Sequence, residues 1–396
     1  MHVRPSPARA AAALAAILLF AAQNTLAAEP RLERWRSYAG VTWNSAAARP
    51  APFSQSVNAP IAGLGFDAAG RAFVSTPRII AAAAPATLSI LDTRHDGGPA
   101  RLRAFPSREA NAVAGAPASR LRSVLGFHVD RRNNWLWALD QGFVAGESEA
   151  PHGAQKILVL DLRSGAIVKA IALDAVADRK TSFLNGIAVD EKRRVAYISD
   201  SGLRGAPANS AGIIVADFDA GHVHRVLDRH PAVMPQPDMK VMSHGAEVWP
   251  GKPLVLGING IALSPDGETL YWTVTSAPKA YALPARLLRD PGATQAALGA
   301  ALRDLGAVGG NTDGIVTDAA GALYITDVSR NGIVRYDPAD GAMRLLAADE
   351  GVHWPDTPAI GPDGRLVFTS SRLNQHFAGA VKAGTERYEL WRLVAD

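Results

Sequence analysis

Residues 182–202 read SFLNGIAVDEKRRVAYISDSG. The run is a strand, a charged turn and a second strand: NGIAVD is apolar around small residues, EKRR is polar, and VAYISD is β-branched and aromatic before it ends on an acid. Period-2 apolar runs broken by polar clusters are hairpin signals. The same pattern recurs five more times: AGLGFDAAGRAFVST at 62–76, LGFHVDRRNNWLWALD at 125–140, NGIALSPDGETLYWTV at 259–274, DGIVTDAAGALYITD at 313–327 and DTPAIGPDGRLVFTSS at 356–371. A chain that repeats one hairpin six times must place six like units in contact, because no single hairpin can bury its own faces.

Further strand candidates lie between the repeats, such as TLSILDTR (87–94), KILVLDLRSGAIVKAIAL (156–173) and GIVRYDPADGAMRLLA (332–347). Each unit therefore holds about four strands. Four-stranded units around an axis make a β-propeller, and closing the ring removes exposed edges. The expected fold is all-β: one six-bladed propeller over residues 29–396. The final strand, YELWRL at 388–393, is expected to pair with a strand from the N-terminal lead-in, so that both chain ends close the ring. The rest of 29–60 reads as loop. One helix is expected near 293–306, between blades four and five.

Residues 1–28 hold a basic, acid-free start, the apolar run AAAALAAILLFAA and small residues before Glu29. That is the pattern of a secretory signal peptide, cut after Ala27 or Ala28. The apolar run falls short of the ~20 residues that span a bilayer. Without a twin-arginine pair, Sec export to the periplasm or medium is expected, and no later stretch is long and apolar enough for a transmembrane segment. The chain has no cysteine, which excludes disulfides, thiolate metal sites and cysteine nucleophiles. Formal charge is +4, and Arg4 and Arg9 of the leader supply part of it. So small an excess gives no electrostatic argument for nucleic acid.

In a propeller the first strand of each blade lines the central tunnel, so the repeats align into two rings at one mouth. The strand starts are Ala62, Leu125, Asn185, Asn259, Asp313 and Asp356; the strand ends are Thr76, Asp140, Asp200, Val274, Asp327 and Ser371. Asn185, Asn259, Asp313 and Asp356 form a polar arc facing an apolar side at Leu125, a pattern suited to a small amphipathic ligand. Asn-Gly and Asp-Gly also serve turn geometry, so for these positions function and structure compete. The strand-end acids Asp140, Asp200 and Asp327 are expected to bond neighbouring-blade backbone and hold blades together. His222 and His224 share a face of an outer strand beside Arg225 and are expected to be solvated. Asp266-Gly267 and Asp363-Gly364 read as hairpin turns, since the alternating acids of a calcium loop are missing. No G-x-S-x-G, HExxH or phosphate-loop motif occurs.

Several stretches, in order, resemble the yellow / major royal jelly protein family: RAFVSTPR with ATLSIL, WLWALDQG, SFLNGIAVD with AYISDSG and GIIVADF, GINGIALSPDGETLYWTVTSAPKAYALPARLLRD, and HWPDTPAI with LVFTSSRLNQ. The resemblance implies a secreted six-bladed propeller whose tunnel, in some members, binds amines or other small aromatic compounds. It also implies a link, for some members, to dopachrome tautomerisation, with no cofactor. This chain lacks the cysteines that animal members use for disulfides. More distantly, the NG and DG starts resemble the gluconolactonase/regucalcin propellers. That likeness would assign Asn259 and Asp313 to a divalent cation and make the protein a lactonase, although the first-blade acid of that pattern is replaced by Ala62 or Leu64. A third possibility is a non-catalytic scaffold whose propeller face takes a protein partner.

Overall fold

The computed structural model describes residues 29–45, 48–52, 55–236 and 238–395. The expected leader lies outside them. Six antiparallel sheets form the ring. The innermost strands are Leu64–Phe66, Val124–Asp130, Leu184–Asp190, Ile258–Leu263, Thr312–Thr317 and Pro355–Ile360. Each pairs with the next strand in sequence, as the repeats require.

Closure is as expected. The N-terminal strand Arg31–Tyr38 is the outermost strand of blade six, antiparallel to Tyr388–Val394, with Arg31 opposite Val394 and Tyr38 opposite Tyr388. The lead-in holds more structure than expected. Val41–Ser45 runs parallel to Ala100–Ala104 on the edge of blade one, and Ala48–Pro52 pairs with it in turn. Its prolines and alanines suppress the strand signal, yet an edge strand tolerates proline.

The blades stack through apolar faces, and six hydrophobic clusters fill the six interfaces. Tyr197, Ile213 and Trp272 pack between blades three and four. Trp137, Ile187 and Ile198 pack between two and three, and Leu64, Val74 and Leu390 between six and one. This two-sided burial explains why Val195–Asp200 is buried at every position, while the outer strand Ile167–Ala172 is largely exposed.

The helix is displaced from its expected place. Gln295–Ala301, capped by Thr294, lies within blade four, between the strands Ala277–Pro284 and Arg303–Ala307. Only Leu298 of that helix is buried, so the alanine-rich spacing overstated its length. Among the described residues no helix is long and apolar enough to cross a membrane.

The strand-end acids act within their own blades rather than between blades. Asp200 accepts from Ser182 Oγ at 2.6 Å and Phe183 N at 2.9 Å, pinning the loop that enters its own inner strand. Asp140 does the same with Arg122 N and Ser123 N, and Asp327 holds its own turn at Ser329 N and Arg330 N. Contact between blades falls instead to hydroxyls earlier in the second strands. Ser75, Ser199, Thr326 and Thr369 donate to the carbonyls of Leu125, Asn259, Asp356 and Ala62. Those carbonyls belong to the strand-start ring. His222 is exposed, but the half-buried His224 bonds Leu288 O at 2.8 Å, so only part of that face is solvated.

The glycines after the ring residues serve inter-blade approach, not turns. A Cβ on Gly126 would lie 2.4 Å from Asn185 O, one on Gly260 2.5 Å from Asp313 O, and one on Gly314 2.5 Å from Asp356 O. Each of these ring carbonyls thus rests on the glycine Cα of the preceding blade, and the inner strands converge there. Gly260→Ala should force blades four and five apart and cost about 1–3 kcal/mol, read by urea unfolding. An unchanged midpoint would mean that the contact can relax.

Candidate functional site

The central cavity has a volume of about 610 Å³. Leu125, Asn185, Asn259, Asp313 and Asp356 all line it, and its walls run from these residues down the inner strands to the hairpin turns. The five residues are therefore brought together, but as a buried floor rather than an open mouth. Asn259, Asp313, Asp356 and Leu125 are all buried, and Asn185 is half-buried. Behind the floor, loops close the tunnel with two apolar clusters. Leu125 and Ala62 pack with Phe143, Ala150 and Phe183, while Trp354 packs with Val241, Val248, Leu254 and Leu256.

The arc is wired asymmetrically. Asn259 donates its amide to Asp313 Oδ1 at 2.7 Å and to Thr275 Oγ1 at 2.9 Å. Trp354 Nε1 donates to Asp313 Oδ2 at 2.6 Å. Both Asp313 oxygens are thus taken. Asp356 accepts from Thr357 Oγ1 at 3.0 Å through Oδ1; the Ser371 hydroxyl lies near the carboxyl and lowers its pKa, but the buried Oδ2 has no donor within 3.5 Å. A buried carboxylate oxygen without a donor is costly unless it carries a proton or meets a ligand. The half-buried Asn185 amide makes no hydrogen bond to another described residue.

Burial pushes the Asp313 carboxyl up to about 6, with the donors Trp354 and Asn259 pulling the other way. Asp356 is raised well above the usual carboxylate range, first by burial and then by the Asp313 charge. Two such groups titrate as a pair. Near neutral pH they share a proton rather than both ionise, and an arriving cation would displace it.

The second resemblance assigned Asn259 and Asp313 to a divalent cation, and the donor set fits that poorly. Each Asp313 oxygen already accepts one short hydrogen bond, and apart from the two buried carboxyls only the Asn185 and Asn259 amides of the ring face the site, fewer oxygens than hard cations usually take. Among the described residues no group of three histidines or acids is placed to hold a metal ion.

The site also uses residues that the repeat alignment does not single out. Trp354 stands just before the sixth inner strand, in the sequence Trp354-Pro355-Asp356, and its indole fixes Asp313. His128 and Glu191 meet at the far end of the cavity, with Nε2 and Oε1 3.0 Å apart. Glu191, six residues after Asn185, and His128, three after Leu125, could have been found by following the inner strands down from the ring.

A six-bladed propeller with a tunnel closed at one end over two buried carboxylates is the class that fold and site define. The model of the family described as "Major royal jelly protein" matches residues 122–393, more than half of the chain, and the chain belongs to that family. No curated protein matches it. Among solved structures it is similar to a gluconolactonase from Xanthomonas campestris, at 17% identity over 95% of this chain and 93% of the other, with a TM-score of 0.51. It is also similar to a putative gluconolactonase, at 14% identity over 93% and 92% of the two chains, with a TM-score of 0.49. At such identities the likeness concerns the fold alone.

Proposed function

We propose that the tunnel binds a small, amine-bearing compound with an apolar part, aromatic amines included, with its ammonium against Asp356 and its apolar part toward Leu125. The observation that carries this reading is the buried Asp356 Oδ2, which has no donor within 3.5 Å and stands beside the Asp313 carboxylate. An ammonium supplies both the missing donor and the missing charge. Membership of a family in which some proteins bind amines agrees with it. The carboxyl pair can also hold and return one proton, which is the chemistry a tautomerisation needs. Export through the leader belongs to the same proposal, since it would place the site where extracellular amines occur.

Thermal shift with tyramine, dopamine, calcium, zinc and a sugar lactone tests the reading. The amines should raise the melting temperature by several degrees at saturating concentration, with no effect in Asp356→Asn. Stabilisation by calcium that Asp313→Ala abolishes would replace this reading with the metal-dependent lactonase. No shift with any compound would favour the scaffold.

A further inference from the structure

The tunnel changes character along its length. Its floor is the Asp313–Asp356 pair, and Ile187, Val189, Ile261, Leu263 and Ile315 make its middle apolar. Its open end lies among hairpin turns, where Arg131, Arg132, Glu191, Lys192 and Asp266 line it. The acids there are engaged. Glu191 meets His128 Nε2 at 3.0 Å and accepts from Arg132 N at 3.0 Å. Asp266 accepts from Ser264 Oγ at 2.5 Å and Glu268 N at 3.0 Å, and Asp190 is held by Arg193 at 2.8 Å. The Arg131 guanidinium bonds the carbonyls of Phe66 and Ile360. The exposed side chains of Arg132 and Lys192 make no ion pair or hydrogen bond with another described residue.

An uncommitted carboxylate therefore stands at one end and two uncommitted cations at the other. An anion at the trailing end of a ligand would meet two cations there that have no carboxylate partner, a contact that a simple amine cannot make. The inner strand from Leu125 to Asp130 spans roughly 16 Å at ~3.3 Å per residue, and Arg132 lies in the turn just beyond it. Side chains reach inward from both ends, which leaves on the order of 15 Å between the charges to be bridged.

We propose that the tunnel takes an elongated amphoteric ligand: an amine at Asp356, a slim apolar body, and a carboxylate at Arg132 and Lys192. The proposal rests on the amine reading of the floor. Calorimetric titration of the full chain with ω-aminododecanoate, dodecylamine, dodecanoate and γ-aminobutyrate, all below micellar concentrations, tests it. The long amino acid should bind at least about tenfold more tightly than dodecylamine or dodecanoate, and γ-aminobutyrate, too short to bridge, should bind far more weakly. The double variant Arg132→Gln/Lys192→Gln should lower ω-aminododecanoate to the affinity of dodecylamine, and Asp356→Asn should lower it to that of dodecanoate. Equal affinity for dodecylamine and the amino acid would overturn the mouth site and leave the floor reading standing. Equal affinity for dodecanoate and the amino acid, or no binding by either amine, would overturn both.

Discussion

Replacing Asp140 by alanine is expected to destabilise the protein by roughly 3–5 kcal/mol, the cost of breaking a buried ion pair from one side. The Asp140 carboxylate is fully buried and receives Lys156 Nζ at 2.8 Å, Arg122 N at 2.7 Å, and Ser123 N and Gly142 N at 2.9 Å. Lys156 is also buried, with its other contact at Ala154 O. Without Asp140 its ammonium is stranded and two loops of blade two lose their anchor. Lys156→Met in the same chain removes the stranded charge, so the double variant should be less damaged than the single one. Urea unfolding of the three proteins measures this. A loss below about 1 kcal/mol in Asp140→Ala would mean that the entering loop is held by other contacts.

Replacing Asp356 by asparagine is expected to abolish amine binding and, in the ligand-free protein, to raise stability above pH 6. The sign follows from the raised carboxyls. A group whose folded pKa lies above its unfolded value, near 3.9 for aspartate, gives stability that is present below that value and lost as pH rises through the folded one. Asp313, pushed up to about 6, loses its contribution between about pH 4 and 6, and Asp356, raised further, extends the window upward. Asparagine keeps the shape, cannot ionise, and removes the like charge next to Asp313. The stability difference between variant and wild type should therefore be near zero at pH 4 and grow steadily as pH rises toward the raised folded value of Asp356. Urea midpoints at pH 4.5 and 8 check it. Equal midpoints at both would mean that Asp356 ionises as readily in the folded protein as in the unfolded one, so that burial does not raise its carboxyl and the floor is an ordinary charged pair.

The blades were legible because each must alternate on two faces and turn at fixed intervals. Six copies of one hairpin leave little choice but a ring. The floor was legible as a set of positions: aligning the repeats places Leu125, Asn185, Asn259, Asp313 and Asp356 on one circle, and the structure puts all five around one cavity. Their accessibility was not. Whether the circle is a mouth or a floor depends on loops such as 241–256, whose apolar residues show no period and fold over Trp354 only in three dimensions. The meaning of the Asn-Gly and Asp-Gly pairs was hidden for a similar reason. In sequence they read as turns, but the glycine is required by a carbonyl from the next blade, distant in sequence: Asn259 O for Gly186, Asp313 O for Gly260 and Asp356 O for Gly314. The strand-end acids misled in the opposite sense, because their donors lie in the loop entering the same blade.

The central claim is that an ammonium completes Asp356 at the closed end of the tunnel. A crystal structure of the protein soaked with 4-bromophenethylamine at neutral pH tests it most directly, since the bromine is located by its anomalous signal. The account predicts bromine inside the tunnel on the Leu125 side and the amine nitrogen within hydrogen-bond distance, about 2.7–3.2 Å, of Asp356 Oδ2. A vacant floor with bromine only on the outer surface, or a metal ion held between Asn259 and Asp356, would contradict it.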